Sequence, residues 1–318
     1  MSPFELTDQY FNSVRAEPAE GSGRTVVVLL KDDSKRLEIA LNLESSSARI
    51  EVQGLLQAVL QVPRAWLLTH PEQLLSAAQH AQFTVLFERR LNGEPLAYLL
   101  GEREFYGLVF KVSPATLIPR PETELLVELA LQRISSSPPL PQAGEGGRQA
   151  GGGAFRVLDL GTGSGAIALS IAHARPDIEV VAVDASAAAL EVAQFNVQRL
   201  GLGNVRLLQS DWFDALQDQC FDIIVSNPPY IATDDAHLKQ GDLRFEPCTA
   251  LASGADGLDD IRRICAQAKA HLNPEGWLLL EHGYNQATQV HALLQHSGFE
   301  EIFSARDLSG IERVSGGT

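Results

Sequence analysis

Long apolar runs are missing from this sequence: nothing in its 318 residues approaches the roughly 20 consecutive apolar residues that a membrane-spanning helix needs. The opening segment "MSPFELTDQYFNSVRAEPAEG" also lacks a basic stretch followed by an apolar one, so it does not read as a secretory signal. A cytoplasmic protein with no membrane contact is expected. Cysteine is scarce. Cys220, Cys248 and Cys265 are odd in number and widely spaced, with no second Cys or His at metal-ligand separation. They read as reduced packing residues, and no metal site is expected. Positive charge is short as well, with 25 Lys and Arg against 40 Asp and Glu and a net charge of −15. A surface of that sign repels phosphate backbones, and no dense Lys/Arg run offsets it, so no direct nucleic-acid partner is expected.

What is present divides along the chain. Residues 1–35 mix polar residues with one short β-prone run, "TVVVLL", and read as an N-terminal extension that the pattern does not place. Over 36–100, Val52, Leu55, Leu56, Val59 and Leu60 recur at helical spacing after "SSS", a candidate cap, and Leu74, Leu75, Ala78, Leu86 and Leu91 point to further helices. This is a small helical domain. Residues 101–119, aromatic and β-branched with Gly and Pro breaks, form a hairpin connector. Residues 120–318 form the larger domain, interrupted at 135–153 by "SSSPPLPQAGEGGRQAGGG", a flexible insertion with almost nothing to bury.

From Phe155 the chain alternates apolar strand-like runs ("FRVLDL", "IEVVAVD", "NVRLLQSD", "FDIIVS", "GWLLLEHG") with helical stretches. That alternation implies an α/β fold, a largely parallel sheet with helices on both faces and ligands at the carboxyl ends of its strands. The first of these strands ends in "DLGTGSG": Asp159, then Gly161, Gly163 and Gly165 with Thr162 and Ser164 between them. Glycines there permit positive φ and close approach of a ligand to the start of the next helix. The motif alone fits a nicotinamide dehydrogenase as well as a methyltransferase, because Asp184 stands where a ribose-binding carboxylate belongs in either.

Two features separate them. Asp159 supplies a carboxylate that suits the cationic methionine end of S-adenosylmethionine better than a pyrophosphate. In "SDWF", Asp211 is a candidate acceptor for an adenine amino group and Trp212 a stacking surface, against the plain alternative that Trp212 is core packing. The expected cofactor residues are thus Asp159, Gly161, Thr162, Gly163, Ser164, Gly165, Asp184, Asp211 and Trp212, with Asn227 shared with the substrate.

After "FDIIV" the sequence "SNPPYIA" sets Asn227, Pro228, Pro229 and Tyr230 at a strand end. Two prolines make a stiff extended bend, where terminating a strand needs only one. A planar nitrogen is a poor nucleophile, and in-line methyl transfer to it depends on position. Asn227 Oδ1 and the Pro228 carbonyl can accept hydrogen bonds from an NH2 group, while Tyr230 packs on its plane. No general base is named.

"DLGTGSG", the acidic end of the second strand and "NPPY" after the fourth resemble class I methyltransferases of planar nitrogens. Together with "GEPLAYLLGEREFYG", "LIPRPETE", "SDWF", "RFEP", "DGL" and "LLLEHG" in this order, they closely resemble the protein-(glutamine-N5) methyltransferase family of peptide chain release factors, HemK/PrmC. The resemblance implies a Rossmann-like, mostly parallel seven-stranded sheet with a helical N-terminal domain that helps bind the substrate protein. It also implies methyl transfer from S-adenosylmethionine to the glutamine of the Gly-Gly-Gln loop of class 1 release factors; a monomer is the default expectation. The alternatives are N-methylation of an exocyclic nucleobase amine, since "NPPY" can hold that group too, and a nicotinamide-dependent oxidoreductase or inactive nucleotide-binding module. Outside the main motifs, Glu246 reads as a solvated or hinge ion pair, Arg120 and Glu122 as hinge residues, and His282, beside Glu281, as a structural histidine.

Overall fold

The computed structural model describes residues 24–136 and 154–318. The chain divides into two compact units, Met1–Leu100 and Gly101–Thr318. In the first, α1 (Val26–Leu41), α2 (Ser45–Leu60), α3 (Arg64–Thr69), α4 (Ala77–Leu91) and α5 (Leu96–Leu100) follow one another. The β-prone run "TVVVLL" is a correction: from Val26 it is helix, not strand, and the helical unit starts within the span assigned to an extension. The reason is tertiary. Val26, Leu29, Leu30, Asp33, Ser34 and Leu37 are buried at helical intervals, and packing against α2 overrides the preference of valine for strands. The rest of the 1–35 segment, residues 1–23, lies outside the described residues.

Two further local readings change. The serines of "SSS" lie inside the first turn of α2, whose N-cap is Glu44 without a side-chain bond. The side-chain cap is found at α4 instead, where Ser76 Oγ accepts from Gln79 N–H and Gln79 Oε1 accepts from Ser76 N–H. Leu74 bridges Thr25 ahead of that helix rather than belonging to it. Val26, Leu29, Leu55, Leu56, Phe83 and Phe87 fill the core. Within it the Arg90 guanidinium forms a two-pronged pair with Glu51, at 2.6 and 3.1 Å.

The second unit opens with the antiparallel hairpin β1 (Glu102–Phe105) and β2 (Leu108–Lys111), a 3-10 turn at Pro121–Thr123 and α6 (Glu124–Ser136). Ser135 and Ser136 close α6, so the helix reaches into the segment expected to be a flexible insertion; residues 137–153 of that segment are outside the described residues. Then come β3 (Arg156–Leu160), α7 (Ala166–Ala174), β4 (Glu179–Asp184), α8 (Ala187–Leu200), β5 (Val205–Gln209), β6 (Phe221–Ser226), α9 (Asp259–Ala268), β7 (Leu272–Glu281), α10 (Ala287–His296), β8 (Phe303–Arg306) and β9 (Glu312–Gly317). The stretch "NPEG", residues 273–276, bulges within β7, where the pairing with β6 shifts register and Glu275 takes φ 63°.

The sheet has seven strands in the order β5-β4-β3-β6-β7-β9-β8, parallel except for the pairings of β9 with β7 and β8. This is the mostly parallel seven-stranded sheet that the sequence resemblance implies. Its central strands are apolar throughout because both faces are covered. Val157, Val180, Ile223 and Val225 face a core shared with α6 and α7, whereas Leu158, Val181, Ile224 and Leu278 face one shared with α9 and α10.

Asn196 of α8 shows how the hairpin is attached. It is fully buried, accepts from Lys111 N–H at 2.7 Å, and donates to the carbonyls of Lys111 (3.0 Å) and Ser164 (2.8 Å), joining β2 to the glycine loop. Asn196→Ala removes all three of these hydrogen bonds, so we expect a loss of about 3 kcal/mol of unfolding free energy in urea.

Candidate active site

Strand register assembles the site. Leu160 of β3 lies opposite Val183 of β4 and Ser226 of β6, and Ser226 lies opposite Leu280 of β7. The loops that follow these strands therefore leave the sheet at one level, on either side of the point between β3 and β6 where strand order reverses. A cavity of about 590 Å³ opens there, in the range of small-molecule sites. Gly161, Thr162, Gly163 and Ser164 line it, with Asp184, Asp211, Trp212, Asn227 and Pro229. Asp159, Gly165, Pro228 and Tyr230 do not.

The glycine loop is shaped by two backbone demands. Gly161 has φ 72°, and a Cβ there would sit 3.4 Å from the Trp212 ring, so the indole rests directly on the loop. Gly163 has φ 57° and donates its N–H to Asp184 Oδ2 at 2.8 Å. Ser186 N–H donates to Asp184 Oδ1, also at 2.8 Å. These bonds aim the carboxylate, while each oxygen keeps a lone pair for a ribose hydroxyl. Burial raises the Asp184 pKa against the pull of both N–H groups.

Asp159 lies beneath the loop and is completely buried. Its Oδ2 accepts from Thr162 Oγ1 at 2.6 Å and from Ala168 N–H at 3.2 Å, whereas Oδ1 has no partner. Burial pushes its pKa up to about 7, and the Asp184 charge adds to the rise. A buried carboxylate with an unused oxygen, behind a glycine cradle and beside a second carboxylate, fits a cofactor that is cationic at one end and carries a ribose. S-adenosylmethionine meets both requirements.

At the far side, Trp212 Nε1 donates to Asp260 Oδ1 at 3.2 Å, so the ring is partly a structural element and partly a cavity wall. Asp211 is exposed and its Oδ1 is taken by Arg263 at 2.8 Å. Asp260 and Arg263 of α9 line the cavity too, and sequence reasoning missed them because charged residues on the polar side of an amphipathic helix read as a solvated face.

The proline corner is anchored from behind. Gln286 Nε2 donates to the Tyr230 carbonyl at 2.9 Å while its Oε1 accepts from Gly283 N–H at 2.8 Å. Pro228 is buried, and Tyr230 packs against the core shared with α9 and α10. Burial and the nearby Glu281 raise the Tyr230 pKa. Asn227 Nδ2 donates to Thr123 Oγ1 at 3.2 Å. Glu246 is not solvated. It is 4% exposed, accepts from Ile118 N–H at 3.0 Å and is paired with the Arg120 guanidinium, which lines the cavity. A side chain with both a backbone and an ionic partner packs inward, which the loop setting of "RFEP" did not reveal. His282 is buried between the Gly283 carbonyl and Ser315 Oγ, and burial lowers its pKa, so it is a neutral structural residue. Among the described residues no cluster of His, Cys, Asp and Glu is arranged to hold a metal ion, and no helix is long and apolar enough to cross a membrane.

Comparison with known proteins adds an independent line. Residues 153–304 match the family model of a methyltransferase domain, and residues 34–101 match that of the PrmC N-terminal domain. The release factor glutamine methyltransferase of Bordetella pertussis is 52% identical over 85% of this chain and 94% of its own length. Its namesake in Pseudomonas aeruginosa is 46% identical over 92% and 97%, and that of Escherichia coli 45% over 85% and 92%. Among solved structures, the hMettl16 catalytic domain in complex with MAT2A 3'UTR hairpin 6 shares the fold at a TM-score of 0.52 and 15% identity, over 73% of this chain and 81% of that one.

The position of Asp159 generates a test. A cationic cofactor end selects the ionised carboxylate, so calorimetric affinity for S-adenosylmethionine should fall by up to about tenfold per pH unit below 7. Asp159→Asn should weaken binding at pH 8 and flatten this dependence. Protonation of the folded carboxyl adds stability that is complete below its unfolded pKa of roughly 4 and is lost as pH rises through about 7. The Asn variant, with no charge to bury, should therefore melt higher than the native protein at pH 8.

Proposed function

The chain belongs to the release factor glutamine methyltransferase family, and from that premise we propose the reaction and the residues that carry it. It transfers a methyl group from S-adenosylmethionine to the side-chain amide nitrogen of a release-factor glutamine. The glutamine is the one in the Gly-Gly-Gln loop of class 1 release factors, and the protein acts as a monomer without direct contact to nucleic acid. One observation supports the site assignment above others: Asn227, at the end of β6, lines the same cavity as Asp184 and the glycine loop after β3. Family membership favours neither the nucleobase nor the nicotinamide alternative.

When bound, S-adenosylmethionine supplies an electrophilic methyl on a positively charged sulfur. Asp184 would hold the ribose, Asp159 would act on the cationic end from beneath the glycine loop, and Gly161 and Gly163 would let the cofactor lie against the backbone. Trp212 closes the adenine side. Asn227 Oδ1 and the Pro228 carbonyl accept the two N–H bonds of the glutamine amide, which fixes the plane of the group and points the nitrogen along the line of transfer. Methyl transfer from the bound cofactor would leave the nitrogen with one proton to lose, and that proton would pass to solvent. Acceptors on its N–H groups favour that loss of positive charge. Pro228 and Pro229 stiffen the corner, and Tyr230 supports it from the core side. Positioning on this scale can supply on the order of 7–11 kcal/mol of the barrier, so no general base is required of the chain.

The test is mass spectrometry of a class 1 release factor after incubation with this protein and S-adenosylmethionine. One added methyl on the Gly-Gly-Gln glutamine is expected; none, with the cofactor still bound, rejects this substrate. Asn227→Ala should lower methyl transfer by roughly 10²- to 10³-fold with the cofactor dissociation constant changed by less than about threefold. Asp184→Ala should do the reverse, weakening cofactor binding first because a charge-assisted hydrogen bond is lost.

A further inference from the structure

Trp212 lines the cofactor cavity, and its own torsions do little to hold it there. Its φ is 50°, in the left-handed region that a bulky residue seldom adopts, and the second torsion of an aromatic side chain has only a broad preference. Bonds from neighbouring groups do the holding. Ser210 Oγ donates to the Trp212 carbonyl at 2.8 Å and accepts from Ala215 N–H at 3.0 Å, which fixes the turn. The indole carries a single donor, Nε1–H, and it goes to Asp260 Oδ1 at 3.2 Å, on a helix remote in sequence. That bond settles which way the ring faces while its surface rests on the loop at Gly161.

Asp260 is itself fixed. It is the second residue of α9, and its N–H donates at 2.8 Å to Oγ of Ser253, which is buried. Ser253 N–H donates to the Ile231 carbonyl at 2.9 Å, and Ile231 directly follows Tyr230 of the proline corner. One turn further along α9, Arg263 pairs with Asp211 at 2.8 Å, so the same helix grips both of the adjacent residues Asp211 and Trp212. A carboxylate in the first turn of a helix also favours its dipole, yet Asp259 already supplies one there.

We propose that Asp260 is a positioning residue for the cofactor: its carboxylate holds the Trp212 indole against the glycine loop and thereby sets affinity for the adenine end of S-adenosylmethionine. The role rests on the cofactor reading given above, with adenine against Trp212. An indole whose N–H has lost its acceptor would turn toward water, because a half-buried donor left unpaired is costly. Adenine would then meet a moving wall in place of a fixed one, and the cost of ordering the ring would fall on cofactor binding. Since the contact with adenine is made by the ring, the effect of the aspartate should pass through the indole N–H.

The experiment measures calorimetric affinity for S-adenosylmethionine in the native protein, Asp260→Ala, Asp260→Ser and Asp260→Asn, each also combined with Trp212→Phe and each checked for a cooperative melting transition. Asp260→Ala should weaken binding roughly 5- to 10-fold, part of what a base stacked on an aromatic ring contributes. Asp260→Ser, too short to reach the indole but suited to a helix start, should match it and keeps the test open should the alanine variant misfold. Asp260→Asn keeps an accepting Oδ1 and should stay within about threefold of native. With Trp212→Phe, which has no N–H to hold, the alanine and serine changes should cost less than about twofold more. Native affinity in Asp260→Ala and Asp260→Ser, an Asp260→Asn as weak as either, or a loss that persists undiminished with Trp212→Phe overturns the positioning role alone. A native protein that does not bind S-adenosylmethionine overturns the cofactor reading beneath it as well.

Discussion

The site depends first on the parallel register of four adjacent strands. Because β4, β3, β6 and β7 end at the same level, Asp184, the glycine loop, Asn227 and Glu281 are brought to one edge of the sheet without any contact between them in sequence. Parallel pairing requires crossover helices, and those helices bury both faces of the strands. The apolar cores that hold the register are thus the same structure that leaves only the strand ends open to a ligand. Reversal of strand order between β3 and β6 then separates the two outgoing loops and leaves room for the cavity.

A second constraint runs against stability. Asp159 and Glu281 are both fully enclosed carboxyls with an unpartnered oxygen, and burial lifts each to about 7. A packed apolar pair would hold the fold better than either. Both lie at the cavity end of the sheet, Asp159 under the glycine loop and Glu281 at the end of β7. Asn227 stands between the two halves of the chemistry, lining the cofactor cavity and bonded to Thr123 on the opposite side. The long connection from Thr123 to Asn227 ties the segment before α6 to the corner after β6.

Much of this was legible beforehand because it is local. Strands buried on both faces must be apolar along their whole length, so β3, β4 and β6 stand out as runs, and a tight phosphate-type turn requires glycines at fixed spacing. The paired prolines of "NPPY" likewise act on their own backbone. Less was legible where a partner decides the outcome. "TVVVLL" is helical because α2 covers one side of it, and β8, only partly buried, and β9, whose buried half is Val-Ser-Gly-Gly and not an apolar run, left no pattern that separated them from loops. The loop setting of Glu246 left a solvated charge and an ion pair equally open, and only Ile118 and Arg120 around it decide for the buried pair.

The sequence by itself determined the α/β class, the glycine cradle, the acidic strand ends, the rigid amide-bearing corner and the family to which these belong. The cradle, the acidic ends and the corner follow from residue type and spacing over a dozen residues or fewer, and the class and family from the order of such stretches along the chain. Only the tertiary structure decided which side chains share the cavity, that Asp159 sits below it rather than in its wall, and that Thr123 bonds to Asn227. Those are matters of burial and of hydrogen-bond direction between segments far apart in the chain. A carboxyl's pKa and an amide's orientation are properties of the surroundings, and the surroundings exist only once the sheet has closed.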